Sequence, residues 1–230
     1  MEIIYNTNNS NNTNNTNNTN KRKFDIEYDY EKKLTNNNYK IYNFYKNDST
    51  NCNIILCDNH IYFNSLINNE TINILKLNIH SLIANKHLIN NNSTLYLHIN
   101  SKGGNVLNLL EFINFKSTIA LEIISIVENF VSDCAILLAA SCNYRIINKN
   151  AKTMLTSYHD LQNLKNYWGF LKQCENNQFE VECLKNSIYN LFCNVIDSKI
   201  TQEKLQTYLM QNSYWDAKKY KKLGLADEIV

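Results

Sequence analysis

Between residues 94 and 113 the hydrophobic period changes across a pair of glycines, and that change constrains the fold more than any other stretch. Leu95, Leu97 and Ile99 alternate with Thr94, Tyr96 and His98, the two-residue period of a strand. Val106, Leu109, Leu110 and Ile113 then recur at i, i+3, i+4 and i+7, one apolar face of a helix. Between them stands Ser101-Lys102-Gly103-Gly104. Glycine accepts positive φ and lets a backbone approach a ligand closely, so such a turn offers N–H groups at a helix N-terminus. Donors of that kind suit a developing oxyanion or an acyl carbonyl. Two glycines alone read equally as a tight turn that holds no ligand.

The same alternation of strand and helix runs through most of the chain. Residues 54–56 and 60–63 read as strands, and Ile67, Ile72, Leu75, Leu77, Ile79 and Leu82 mark a helix. Residues 123–127 form a short buried strand, 129–132 a turn, and 133–140 an almost wholly apolar helix. Two brief strands follow at 144–147 and 153–155, then a long helical stretch faced by Phe179, Cys183, Ile188, Leu191 and Val195. Thr201 caps a shorter helix, Tyr214-Trp215 is a strand fragment, Asp216 caps one more turn and Gly224 ends it. Connections of this length suit parallel pairing, so the fold class is α/β, with a helical excursion over about 160–200.

Ahead of this lies a different composition. Asn accounts for 43 of the 230 residues, and 6–20 is an Asn/Thr/Ser repeat that cannot bury enough apolar surface to offset its ordering entropy. The expected organisation is an Asn-rich, largely disordered segment over 1–50 and one folded domain over 51–230. With 4 glycines and no proline, neither a Gly-rich nucleotide loop nor a polyproline ligand is present. A net charge of +2 argues against a nucleic-acid partner, and no apolar run is long enough for a membrane span. The 7 cysteines form no C-x-x-C and the 5 histidines no H-x-x-x-H, so buried reduced thiols are expected, with neither metal nor cofactor.

Residues 97–106, Leu-His-Ile-Asn-Ser-Lys-Gly-Gly-Asn-Val, closely resemble the I-N-S-P-G-G-x-V turn of the ClpP serine proteases. Residues 60–67 are similar to that family's first core strand, 134–140 to the helix after its nucleophile, and 150–155 to its P-N-S-x-x-M-I strand. Leu223-Gly224-Leu225-Ala226-Asp227-Glu228-Ile229 looks like its closing E-Y-G-L-I-D-x-I. Together and in order these fragments cover about 54–230. They imply the ClpP/crotonase-like ββα superhelix, with a helical handle insertion at about 160–200, and an oxyanion turn at Gly103 and Gly104.

The resemblance also implies where a Ser, a His and an Asp should stand. Counted without gaps from Gly104, the nucleophile position holds Asp133, which also sets small Ala135 at the family's small residue; a one-residue slip would place Ser132 there. The base position is Thr156, whose hydroxyl has no accessible basic state, and the orienting aspartate is Asn212, whose amide carries no charge. At the start of a helix, Asp133 is expected to cap its free N–H groups. A rearranged triad of Ser132, His159 and Asp216 is the alternative, and would make the chain an active ClpP-like endopeptidase. An acyl-CoA enzyme of the wider crotonase superfamily is a third reading, without a visible adenosine-phosphate signature.

Family members that lack the triad are ClpR subunits, which this chain resembles. The resemblance implies a pseudo-protease in a ring, a heptamer, with ClpP-type catalytic subunits and a Clp AAA+ ATPase. The Asn-, Lys-, Ile- and Tyr-rich composition is similar to apicomplexan proteomes and implies the apicoplast, a plastid, although no targeting signal is visible.

Overall fold

Alternating burial begins at residue 52, where every second side chain of Cys-Asn-Ile-Ile-Leu-Cys is buried, and the sheet grows from that strand. A computed structural model describes residues 41–47, 52–84, 94–156, 186, 189–193, 201–210 and 212–230. Within these residues the strands are β1 (Ile41–Asn47), β2 (Cys52–Cys57), β3 (His60–Phe63), β4 (Thr94–Ser101), β5 (Glu122–Ser132), β6 (Tyr144–Ile147), β7 (Lys152–Leu155), β8 (Ser213–Asp216) and β9 (Glu228–Ile229). The helices are α1 (Asn69–Ala84), α2 (Val106–Ser117), α3 (Cys134–Ala140), α4 (Gln202–Met210) and α5 (Ala217–Lys222). The α/β class read from the sequence is the fold observed.

The nine strands form one sheet in the order β1-β2-β3-β4-β5-β6-β9, with β7 and β8 branching from β5. The first three are an antiparallel meander; along that order from β3 to β9 the pairing is parallel, as helical crossovers require, and the β7–β8 branch is antiparallel. β1 lies ahead of the expected start at residue 51, so the paired sheet reaches back to Ile41. The rest of the Asn-rich segment lies outside the described residues. So does most of the expected handle: residues 189–193 are helical and bury Tyr189 and Phe192, neither of which the expected apolar face included.

β5 corrects the sequence reading. A short strand and a turn at 129–132 are expected, yet the strand runs unbroken for 11 residues to Ser132. Its first half is sandwiched between β4 and β6, and its last three residues pair with β7. The pairing with β7, remote in sequence, holds the polar Glu128-Asn129 stretch extended. That fork brings the end of β5, where Val131 stays in register with Ser101 of β4, up to the double-glycine turn. α3 packs beneath, entirely buried, with Ser125 Oγ donating to the Ala139 carbonyl at 2.8 Å.

The chain closes through Arg145 on β6. Its guanidinium donates to both carboxylate oxygens of Asp227, at 2.9 and 2.8 Å, and to the Gly224 carbonyl at 2.9 Å. Among the described residues no helix is long and apolar enough to cross a membrane.

Candidate functional site

Three segments that are distant in sequence converge where β4, β5 and β7 end. The first is the double-glycine turn. Gly104 makes a parallel bridge with Ile67, whose N–H donates to the Gly103 carbonyl at 2.7 Å while its own carbonyl accepts from Asn105 N–H at 2.8 Å. The φ of Gly104 is 144° and a Cβ there would run into the Ile67 carbonyl, so only glycine fits. Gly103 has φ 86°, and its Cβ would meet the Ser132 carbonyl at 2.8 Å and Asp133 Cβ and Cys134 N at 3.2 Å. Ser101 ties the turn down: its Oγ donates to the Ser65 carbonyl at 2.6 Å and accepts from Gly103 N–H at 3.2 Å. Asn105 caps α2, accepting from the N–H groups of Leu107 and Asn108.

The second is the junction of β5 and α3. Asp133 sits between them with φ 49° and ψ −119°, a strained conformation for a residue with a side chain. A strained residue on a sharp strand-to-helix turn is the elbow that presents a nucleophile in α/β hydrolases. Ser132, one residue earlier, is the last residue of the strand, buried and in register with Met154.

The third is the end of β7. Thr156 donates through its backbone N–H to Asp133 Oδ1 at 2.8 Å and through its hydroxyl to Oδ2 at 3.1 Å. Asp133 N–H returns a bond to the Met154 carbonyl at 3.1 Å. Thus the expected cap is corrected: the Asp133 carboxyl makes no capping bond to α3 and turns across to β7 instead. The reason is geometric. Positive φ directs the side chain away from the helix axis, and the free N–H at the end of β7 lies within reach. Burial pushes the Asp133 carboxyl up to about 6, against the two Thr156 hydrogen bonds, which pull it down.

Asn212 stands next to Ser213, and Ser213 pairs with Leu155, so the register brings Asn212 to the Thr156 end of the β7–β8 pair. All three positions implied by the resemblance therefore lie at one edge. The alternative set is not assembled in this way. Asp216 is at the opposite end of β8, paired with Lys152, and caps α5 by accepting from Lys219 N–H at 2.8 Å. His159 lies outside the described residues.

The direct Asp133–Thr156 bond is not readable from the sequence, where the two stand 23 apart; only the register between β5 and β7 brings them together. Nearby, Cys134 Sγ donates to the Gly104 carbonyl at 3.3 Å, and full burial, helped by the Asp133 charge, pushes its thiol far up. Burial likewise pushes Cys142 up to about 12, so neither thiol serves as a nucleophile near neutral pH. Among the described residues, no three His, Cys, Asp or Glu side chains are arranged to hold a metal ion.

Sheet and site define a class: a mixed α/β domain in which a strained elbow, bearing a carboxyl, faces a double-glycine turn. The family model for Clp protease matches residues 45–230, and the chain belongs to the Clp protease family. A peptidase from Plasmodium falciparum is similar over 75% of this chain and 95% of its own, at 16% identity and a TM-score of 0.58. The ClpP protease catalytic domain from Plasmodium falciparum is similar over 74% and 83%, at 21% identity and a TM-score of 0.58. A ClpP1 mutant from Listeria monocytogenes is similar over 75% and 91%, at 14% identity and a TM-score of 0.60. These structures share the fold. No curated protein matches the chain by sequence.

Proposed function

We propose that this chain is a non-catalytic ring subunit of an ATP-dependent Clp protease complex, a pseudo-protease acting through assembly, chamber or pore lining and ATPase docking. One observation carries the reading: the elbow side chain is a buried carboxyl that takes both of its hydrogen bonds from Thr156. Peptide hydrolysis by a serine peptidase needs a hydroxyl nucleophile, a base within reach and a charge that steadies the base. Asp133 offers no hydroxyl, Thr156 no basic lone pair and Asn212 no charge. Once ionised, Asp133 adds negative charge beside Gly103 and Gly104, where an oxyanion would have to form, and so opposes acyl chemistry.

The assembly follows from the family resemblance. The expected partners are further copies of this chain and ClpP-type catalytic subunits in a heptameric ring, with a Clp AAA+ ATPase docked on it. The Asn-rich composition supports an apicoplast setting, which imaging of the tagged protein in its native cell would test.

The test is twofold. Fluorophosphonate is expected to label no serine of this chain, whether isolated or in the mixed ring, while labelling the catalytic paralogue, and native mass spectrometry with that paralogue is expected to give a heptamer-sized particle. A labelled serine in this chain, or a strict monomer at micromolar concentration in the presence of that paralogue, overturns the reading. Peptide hydrolysis abolished by Ser132→Ala would instead establish the rearranged triad.

A further inference from the structure

The six residues of α5 hold more positive charge than the chain carries as a whole. The helix reads Ala-Lys-Lys-Tyr-Lys-Lys, four lysines and no carboxylate, in a protein of formal net charge +2, so the remainder of the chain is formally negative. Ala217 and Tyr220 are buried and fix the inner side of the helix. Lys218, Lys221 and Lys222 are exposed and stand at i, i+3 and i+4, one face of the helix.

The fold makes no use of these three charges. Lys219 differs from them: its Nζ donates to Tyr208 Oη at 3.2 Å and lies 5.4 Å from the centre of that ring. Among the described residues, Lys218, Lys221 and Lys222 meet no carboxylate within ion-pair distance. The carboxylates that flank α5 in sequence are engaged elsewhere. Asp216 Oδ1 accepts from Lys219 N–H, Asp227 is held by Arg145, and Glu228 accepts from the Tyr144 hydroxyl at 3.2 Å. Lys221 and Lys222 gain from the negative end of the helix dipole, but Lys218 lies in the first turn, where the dipole favours an acid. It also stands one turn from both of the others, and the three repel one another. An anion laid across this face relieves that repulsion.

We propose that the exposed face of α5 is a docking surface for a carboxylate-rich segment of a partner protein, whose acidic side chains pair with Lys218, Lys221 and Lys222. Size and surroundings select this partner. The three lysines cover about 6 Å of helix rise, room for a few Asp or Glu side chains. A nucleic acid or an anionic bilayer is held by an extended positive field, and beyond α5 the chain is formally negative. The helix also exposes no apolar side chain that could enter a bilayer. With Tyr220 in the core and Lys219 set against Tyr208, the lysines stand on a fixed support. The surface follows β8 at the end away from Asn212, so it does not depend on whether the Asp133 site is catalytic.

The test is fluorescence anisotropy of a labelled polyglutamate decapeptide titrated with the full chain at low ionic strength. Saturable binding is expected, weakening as salt is added. Reversing the patch, Lys218→Glu with Lys221→Glu and Lys222→Glu, is expected to weaken it by about tenfold or more. A charge-matched reversal at Lys116, Lys149 and Lys204 is expected to keep it within about threefold, as are arginines at the three α5 positions. Absence of saturable binding overturns the proposal, and so does an equal loss in both reversed variants, which would mark an effect of net charge alone. Tighter binding of a decanucleotide or of phosphatidylserine vesicles than of the peptide also overturns it, since the patch would then read phosphate. If urea unfolding shows that the triple reversal is not folded, Lys218→Glu alone decides. That change suits the first turn of the helix, and peptide binding that does not fall by about threefold or more in it overturns the proposal.

Discussion

At Asp133 burial and hydrogen bonding pull in opposite directions, and burial prevails. The unfolded carboxyl titrates near 3.8 and the folded one near about 6, so the folded chain binds more protons between those values. Stability attributable to this group is therefore full below the unfolded value and falls as pH rises through the window, by about 2–3 kcal/mol. Asp133→Asn keeps an acceptor for Thr156 N–H, tolerates positive φ and carries no charge. It is expected to flatten the pH dependence and to raise stability at pH 7.5 by about 1–3 kcal/mol, measured by urea unfolding. Asp133→Ala strands the Thr156 N–H and is expected to cost about 1–3 kcal/mol at the same pH. The opposite signs are the check, since a carboxyl that merely filled space would give two losses. Gly104 makes a different demand. With the Ile67 carbonyl where a Cβ would go, Gly104→Ala is expected to cost more than about 3 kcal/mol or to abolish folding, read by the same measurement.

Among the elements, β5 has two distinct halves. Ile124, Ser125, Ile126 and Val127 pair with β6, and Phe130, Val131 and Ser132 pair with β7, while β4 flanks the other edge from Glu122 to Val131. The Asp133 elbow depends on that fork. β9 is two residues long and gains its hold from the Arg145–Asp227 pair and from the bond between Val230 N–H and the Ile147 carbonyl, at 3.0 Å. Arg145→Ala takes the guanidinium from a half-buried Asp227, which keeps only the backbone N–H of residue 145, and from the Gly224 carbonyl, and is expected to cost about 1–3 kcal/mol. Hydrogen exchange at Ile147 and Val230 is expected to rise more than at β4. Equal loss of protection in both places would show that the clamp acts on the whole sheet instead.

For the molecule as a whole the Asp133 carboxyl gives stability a direction in pH. Asp133 lowers stability as pH rises from about 4 to about 6. The wild-type stability is therefore expected to fall across that window, and Asp133→Asn to flatten it, read by urea unfolding at a series of pH values. Assembly belongs to this scale too. In the function proposed above, the chain acts through the surfaces that it lends to a ring, and labelling and native mass together test that proposal.

The sequence by itself determined the order of strands and helices from residue 52 onward and the double-glycine turn, and through its resemblance implied Asp133 or Ser132, Thr156 and Asn212 as site positions. Those are local facts, written in hydrophobic period, in residues of special backbone freedom and in motif order. It missed the length of β5, the direction of the Asp133 carboxyl and the burial of His98. Each of these depends on a partner far along the chain: β7 extends β5 through residues that read as a turn, Thr156 draws the carboxyl away from α3, and Tyr62 covers an imidazole that alternation left outside. Tertiary structure decided them because a buried polar group goes where its hydrogen bonds are, and those partners are set by register between strands rather than by neighbours in sequence.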